Sequence, residues 1–163
     1  MKEILLILFG FALGQVPDWI KRKRRLRAHW TAVWAEVNIC TEMAMKYTDD
    51  NIAAPLYRLP TDVYDSSFTA LLGEGDLESK EAAEISIFFN LVKEINRGLD
   101  NAAEMYKIDD TDKLKAEYSR NVKKAEILVE MSTGEIALII RNRSQQSTID
   151  KIENLIKKTF HRK

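Results

Sequence analysis

An apolar run from Ile4 to Ile20 that stops against Lys21-Arg22-Lys23-Arg24-Arg25-Leu26-Arg27 constrains this chain more than any other feature. The run's 17 residues would reach about 25 Å as a helix, against a hydrocarbon core of about 30 Å, and long basic side chains can snorkel to close the gap. Six basic residues in seven positions hold their side of a bilayer in the cytosol. The pattern predicts a single-pass, N-out and C-in anchor over residues 1–20 and a cytoplasmic domain over 21–163. Two rival readings stand beside it. Ala12-Leu13-Gly14 before Gln15 has the small-residue character of a leader cleavage site, although the basic cluster then lies on the side that resists export. An ordinary buried helix also fits, because Gln15, Pro17 and Asp18 shorten the strictly apolar part to Ile4 to Leu13.

Beyond the anchor, the 163 residues leave room for one domain able to bury a core of its own. Net charge is zero but unevenly spread. Residues 1–48 carry eight basic and four acidic side chains, 49–117 carry seven and sixteen, and 118–163 carry ten and five. This basic, acidic, basic order favours docking between parts of the chain or between copies of it, and keeps the acidic middle off anionic lipid. A lone cysteine, Cys40, excludes an intramolecular disulfide and suits a reducing compartment.

Hydrophobic periodicity predicts an all-α chain. Leu26, Trp30, Val33, Val37, Cys40, Ala44 and Tyr47 alternate steps of four and three, the seam of a helix that packs lengthwise on another. The basic run contains no Gly or Pro, so anchor and first long helix are expected to be continuous, with Pro17 as the one kink site. A connector with Pro55 and Pro60 precedes a short helix, capped by Thr61, that ends near Gly73. Gly73-Glu74-Gly75-Asp76 is a turn. A second seam follows in Ile85, Phe88, Val92, Ile95, Leu99, Ala102 and Tyr106, and the two long helices are expected to pack antiparallel as a hairpin core. Leu114, Tyr118, Val122, Ala125 and Val129 mark a third helix. Ser132-Thr133-Gly134-Glu135 reads either as a capping box opening a fourth helix or as the turn of a β-hairpin between 127–131 and 136–140. Ile149, Ile152, Leu155, Ile156 and Phe160 give a last amphipathic helix with a basic end.

Several groups are candidates for function. Gly10 and Gly14 have the spacing that lets membrane helices approach closely, or are simply glycines a membrane helix tolerates. Gln15 and Asp18 can line a path between anchors, although Asp18 lies near enough to the interface to be solvated. Lys21, Arg22, Lys23, Arg24, Arg25 and Arg27 set topology and can also meet lipid or nucleic-acid phosphates. Tyr57 and Arg58 with Asn96 and Arg97 can build an anion or nucleotide pocket, unless Arg97 pairs with Asp100 and Arg58 ties down the connector. Gly98 interrupts a strong helical stripe at a cost of about 1 kcal/mol, so a neighbour is expected close against it. His29, His161 and Cys40 show no metal-ligand spacing and read as packed or solvated groups.

No phosphate-cradling glycine loop, zinc-binding helix motif, Cys-x-x-Cys or nucleophile elbow occurs, so neither an enzyme nor a bound cofactor or metal is expected. The segment Ile4 to Arg27, an apolar run and its basic stop, with a helical domain behind it resembles, in layout, the small single-pass membrane effectors of bacterial anti-phage systems. That resemblance implies an inner-membrane homo-oligomer that forms a channel or disturbs the bilayer, under control of a nucleotide, an oligonucleotide or a cytosolic regulatory protein. A tethered adaptor that docks a cytosolic partner without conducting is the alternative, and a membrane-anchored nucleotide or nucleic-acid sensor a further one.

Overall fold

The computed structural model describes residues 2–49, 58–108 and 110–144, with side chains from residue 17 onward and up to 143. All regular structure among the described residues is helical. Helix α1 spans Lys2–Thr48 without a break. A π-helical turn, Tyr64–Phe68, runs directly into α2, Thr69–Gly73. Helices α3, Ser79–Lys107, α4, Thr111–Thr133, and α5, Glu135–Ser144, complete the bundle. The expected kink at Pro17 does not interrupt α1, and the boundary at 20/21 falls inside a continuous helix.

No helix among the described residues is long and apolar enough to cross a membrane. The side chains of residues 4–16, the stretch that holds Gly10, Gly14 and Gln15, lie outside what the structure describes. So do Tyr57, His161 and the amphipathic stretch 149–160.

The α1 seam is the core of the domain. Every residue from Leu26 to Tyr47 on that stripe is buried, Val33, Cys40 and Ala44 completely. On α3, Ile85, Phe88, Val92, Ile95, Leu99 and Ala102 are buried as the spacing requires, whereas Tyr106 is 77% exposed. Removing this apolar surface from water, at about 25 cal/mol per Å², is the main force holding the helices together.

The two seams do not face each other as an antiparallel hairpin. Residues 58–76 run back along α1, with Cys40 donating to the Pro60 carbonyl (3.4 Å), His29 meeting Ser67 (3.1 Å) and the Trp30 indole donating to Asp76 (2.8 Å). They run equally antiparallel to α3, with Asn96 against Leu59 and Lys93 against Asp65. Helix α3 is therefore parallel to α1. The return stroke that a two-helix hairpin lacks is made by residues 58–76, which line the length of the bundle. Helix α4 is the antiparallel partner of both long helices and packs between them.

The buried face of α4 also differs from the expected apolar stripe. Glu117, Asn121, Ala125, Leu128 and Ser132 point inward, while Leu114, Tyr118, Val122 and Val129 are only half buried. Asn121 sits against Gly98, where a Cβ would lie 2.1 to 2.6 Å from its carboxamide. That is the close neighbour the glycine signalled. Residues 127–140 are helical, not a hairpin, but Ser132 does not open α5: its hydroxyl and that of Thr133 bond back to the Val129 carbonyl.

Candidate functional site

The basic segment of α1 is where the domain takes hold of the long helix. Gly75 adopts φ +67°, a left-handed conformation that favours glycine, and so turns the chain after α2 back toward α1. This places Glu74 between two arginines one turn apart. Arg22 donates from Nε to Glu74 Oε2 (2.9 Å) and from Nη2 to the Glu74 carbonyl (2.7 Å), while Arg25 pairs with the other carboxylate oxygen. One turn further on, Asp76 accepts from the Trp30 indole. Both arginines stay more than half exposed, so these pairs fix geometry more than they contribute stability.

A second ring of contacts closes the same end. Arg143 on α5 makes two bonds to Glu81 (2.8 and 2.6 Å), lies 3.6 Å from Glu78 and stacks over the Trp30 ring at 5.9 Å. Glu78 and Glu81 form a reciprocal capping box at the start of α3. Burial pushes the Glu81 carboxyl up, but the hydrogen bonds from Arg143 and from the Glu78 amide, with the Arg143 charge, outweigh it and hold the group below the usual carboxylate range. Nothing in the spacing of 73–81 marked these residues as more than a turn. Their role depends on α5 and α1 arriving from distant sequence.

Of the basic cluster, then, Arg22 and Arg25 are committed to Glu74, and Lys21 lies 3.8 Å from Asp18 on its own helix. Lys23, Arg24 and Arg27 are exposed. Asp18 is itself 80% exposed.

The structure does not gather Arg58, Asn96 and Arg97 into one pocket. Arg58 is paired with Asp100. Asn96 accepts from the Leu59 amide (2.9 Å) and donates to the Leu59 carbonyl (2.8 Å), so its carboxamide stands in for a strand partner and pins the connector to α3. Arg97 lies exposed on a different face of the helix.

A buried carboxylate that sequence reasoning did not single out performs a related task. Glu36, 3% exposed on α1, accepts from the amides of Val63 and Tyr64 (2.9 and 2.8 Å), two of the first N–H groups of the short helix. Thr61 contributes only its backbone carbonyl there, to the Asp65 amide. The π-turn that follows sets Tyr64 in stacks with Phe68 and Phe89 at 4.8 and 4.6 Å, with Lys93 over its ring. Among the described residues, no group of His, Cys, Asp and Glu side chains could hold a metal ion. Comparisons with protein-family models, with curated proteins and with solved structures give no match, so a functional reading rests on the residues themselves.

Proposed function

We propose that this chain is a small single-pass membrane protein, N-out and C-in, in which a helical bundle grips the cytoplasmic extension of its own anchor. Copies associate through Gly10 and Gly14, and the assembly acts as a channel-type or membrane-disrupting effector. One observation carries the reading: α1 is a single helix from Lys2 to Thr48, and the domain's Glu74, Asp76 and Arg143 are bound to it at Arg22, Arg25 and Trp30. A turn or tilt of the bundle is therefore delivered to residues 4–20 without a flexible joint.

The α1 seam is consumed inside the chain, so assembly uses the glycine pair and not the heptads. Half-exposed Trp34 and Met45, one flank of α1 away from the core, support the second reading of a tethered adaptor that docks a protein partner. A nucleotide sensor draws nothing from Arg58 and Asn96, which are engaged within the chain.

The test is the mass of the full chain in detergent and ion leakage from vesicles that contain it, each compared with a Gly10→Ile, Gly14→Ile variant and with Gln15→Leu. A defined oligomer that leaks, loses leakage with the paired substitution and changes conductance with Gln15→Leu supports the effector. Sealed vesicles in every case leave the tether.

A further inference from the structure

We infer that the outer groove between α3 and α4 is the docking site for the chain's own C-terminal segment, residues 149–160, bound in the same molecule as one more amphipathic helix. The inference is independent of whether residues 4–20 cross a membrane.

The groove is defined by register. Gly98 against Asn121 and Glu94 against Lys124 (3.1 Å) fix how α3 and α4 align, which sets Ile87 opposite Met131 and Leu91 opposite Ile127. Ile87 and Ile127 are each about half exposed, 52% and 50%. At its upper end the groove opens into a cleft of about 310 Å³ at the α4–α5 elbow, floored by Met131 and Ile136 and rimmed by Glu84, Glu130 and Glu135. Glu135 is paired with Lys80, and Glu94 with Lys124. Glu84 and Glu130 give this apolar surface its excess of negative charge. A surface of that kind fits an amphipathic helix that carries an apolar stripe and a basic flank.

The chain supplies such a segment at the right distance. Ile149, Ile152, Ile156 and Phe160 fall on one helical face, and residues 145–163 hold five Lys and Arg against two acids. Helix α5 ends at Ser144 after ten residues that lead away from the elbow, a rise of about 15 Å. The five residue steps from Ser144 to Ile149, extended, span about 17 Å. The link is long enough to bring Ile149 back to the elbow and short enough to favour the chain's own groove over a neighbour's, because a short tether keeps the local concentration of the segment in the millimolar range.

The experiment places a photoreactive benzoyl group at Phe160→p-benzoylphenylalanine in the full chain and maps the cross-links by mass. Cross-links at monomer mass to residues 91–98 or 120–127, falling at least about fivefold in Glu84→Lys, Glu130→Lys and in the independent surface variant Ile127→Asp, are the expected result. Cross-links chiefly to lipid, to a second copy at dimer mass or to another face of the bundle would overturn the inference. So would a yield unchanged by both variants in chains whose helical content is intact, or no cross-link at all.

Discussion

Gly98 and Asn121 show how a single atom decides a helix contact. A methyl group at 98 would gain about 1 kcal/mol of helix propensity, yet it would collide with a carboxamide that is itself buried without a hydrogen-bond partner. We expect Gly98→Ala to destabilise the native chain by about 2 kcal/mol, a typical cost of overpacking a core. The same change in an Asn121→Ala background should stabilise, because the space is then vacant and no unsatisfied amide remains to be buried. Thermal melts of the four proteins in one detergent give the coupling. Equal costs in both backgrounds would mean that Asn121 is not what excludes the methyl.

Cys40 lies in the same core, and burial, with the nearby Glu36 charge, pushes its thiol up to about 12. Below the ordinary thiol value of about 9 the neutral form prevails folded and unfolded. Above it only the unfolded thiol ionises, so this residue's contribution to stability is lost as pH rises from 9 toward 12. At pH 8 the thiol should react with a maleimide about a thousandfold more slowly than in the denatured chain, by thiolate fraction alone. Comparable rates would show that the α1 seam opens readily.

At the level of elements, the seams of α1 and α3 were legible because apolar residues at steps of three and four have little alternative to a core. Helix α4 was misjudged for the converse reason. Its inward stripe includes Glu117, Asn121 and Ser132, and periodicity of apolar residues is blind to a polar face that earns burial through one glycine notch opposite. Helix direction was not legible either, since a stripe gives the face and not the sense of the axis. The chain's return along 58–76 depends on Glu36 and Asn96, whose partners are backbone groups far away in sequence.

The capping box at Glu78 and Glu81 belongs to this scale, because it joins the start of α3 to Arg143 of α5. Glu81 has its carboxyl held below the usual 4.5 in the folded chain. Its contribution is present above that value and is lost as pH falls through the folded one. Glu81→Gln should lower stability by about 2 kcal/mol at pH 7, the scale of hydrogen bonds to a charged group. It should also flatten the acid limb of a melting-temperature profile below pH 4.5. A parallel profile for wild type and variant would assign the acid sensitivity to other carboxylates.

On the scale of the whole molecule, a rigid rod and a flexible leash make opposite demands on phase. Each residue inserted into a helix turns everything beyond it by about 100° and lengthens it by about 1.5 Å. Alanines placed between Ile20 and Lys21 leave the collar of Glu74, Asp76 and Arg143 on the bundle side intact, and alter only the angle at which residues 4–20 meet it. Two alanines turn the anchor through about 200°, whereas four return it to within about 40° of its starting face at the expense of about 6 Å of length. If the bundle drives the anchor through α1, vesicle leakage should collapse with two alanines and largely return with four, while the melting temperature of the bundle stays the same in all three chains. A tether obeys length alone, so leakage or partner recruitment that declines steadily through the series, or does not change, would remove the mechanical reading and keep the bundle as a docking module held near a surface. The same series in a chain carrying Glu74→Gln separates the two parts of the grip. Loss of phase dependence there would place the torque-bearing contact at Arg22 and Arg25, and its retention would place it one turn deeper, where Asp76 and Arg143 meet Trp30.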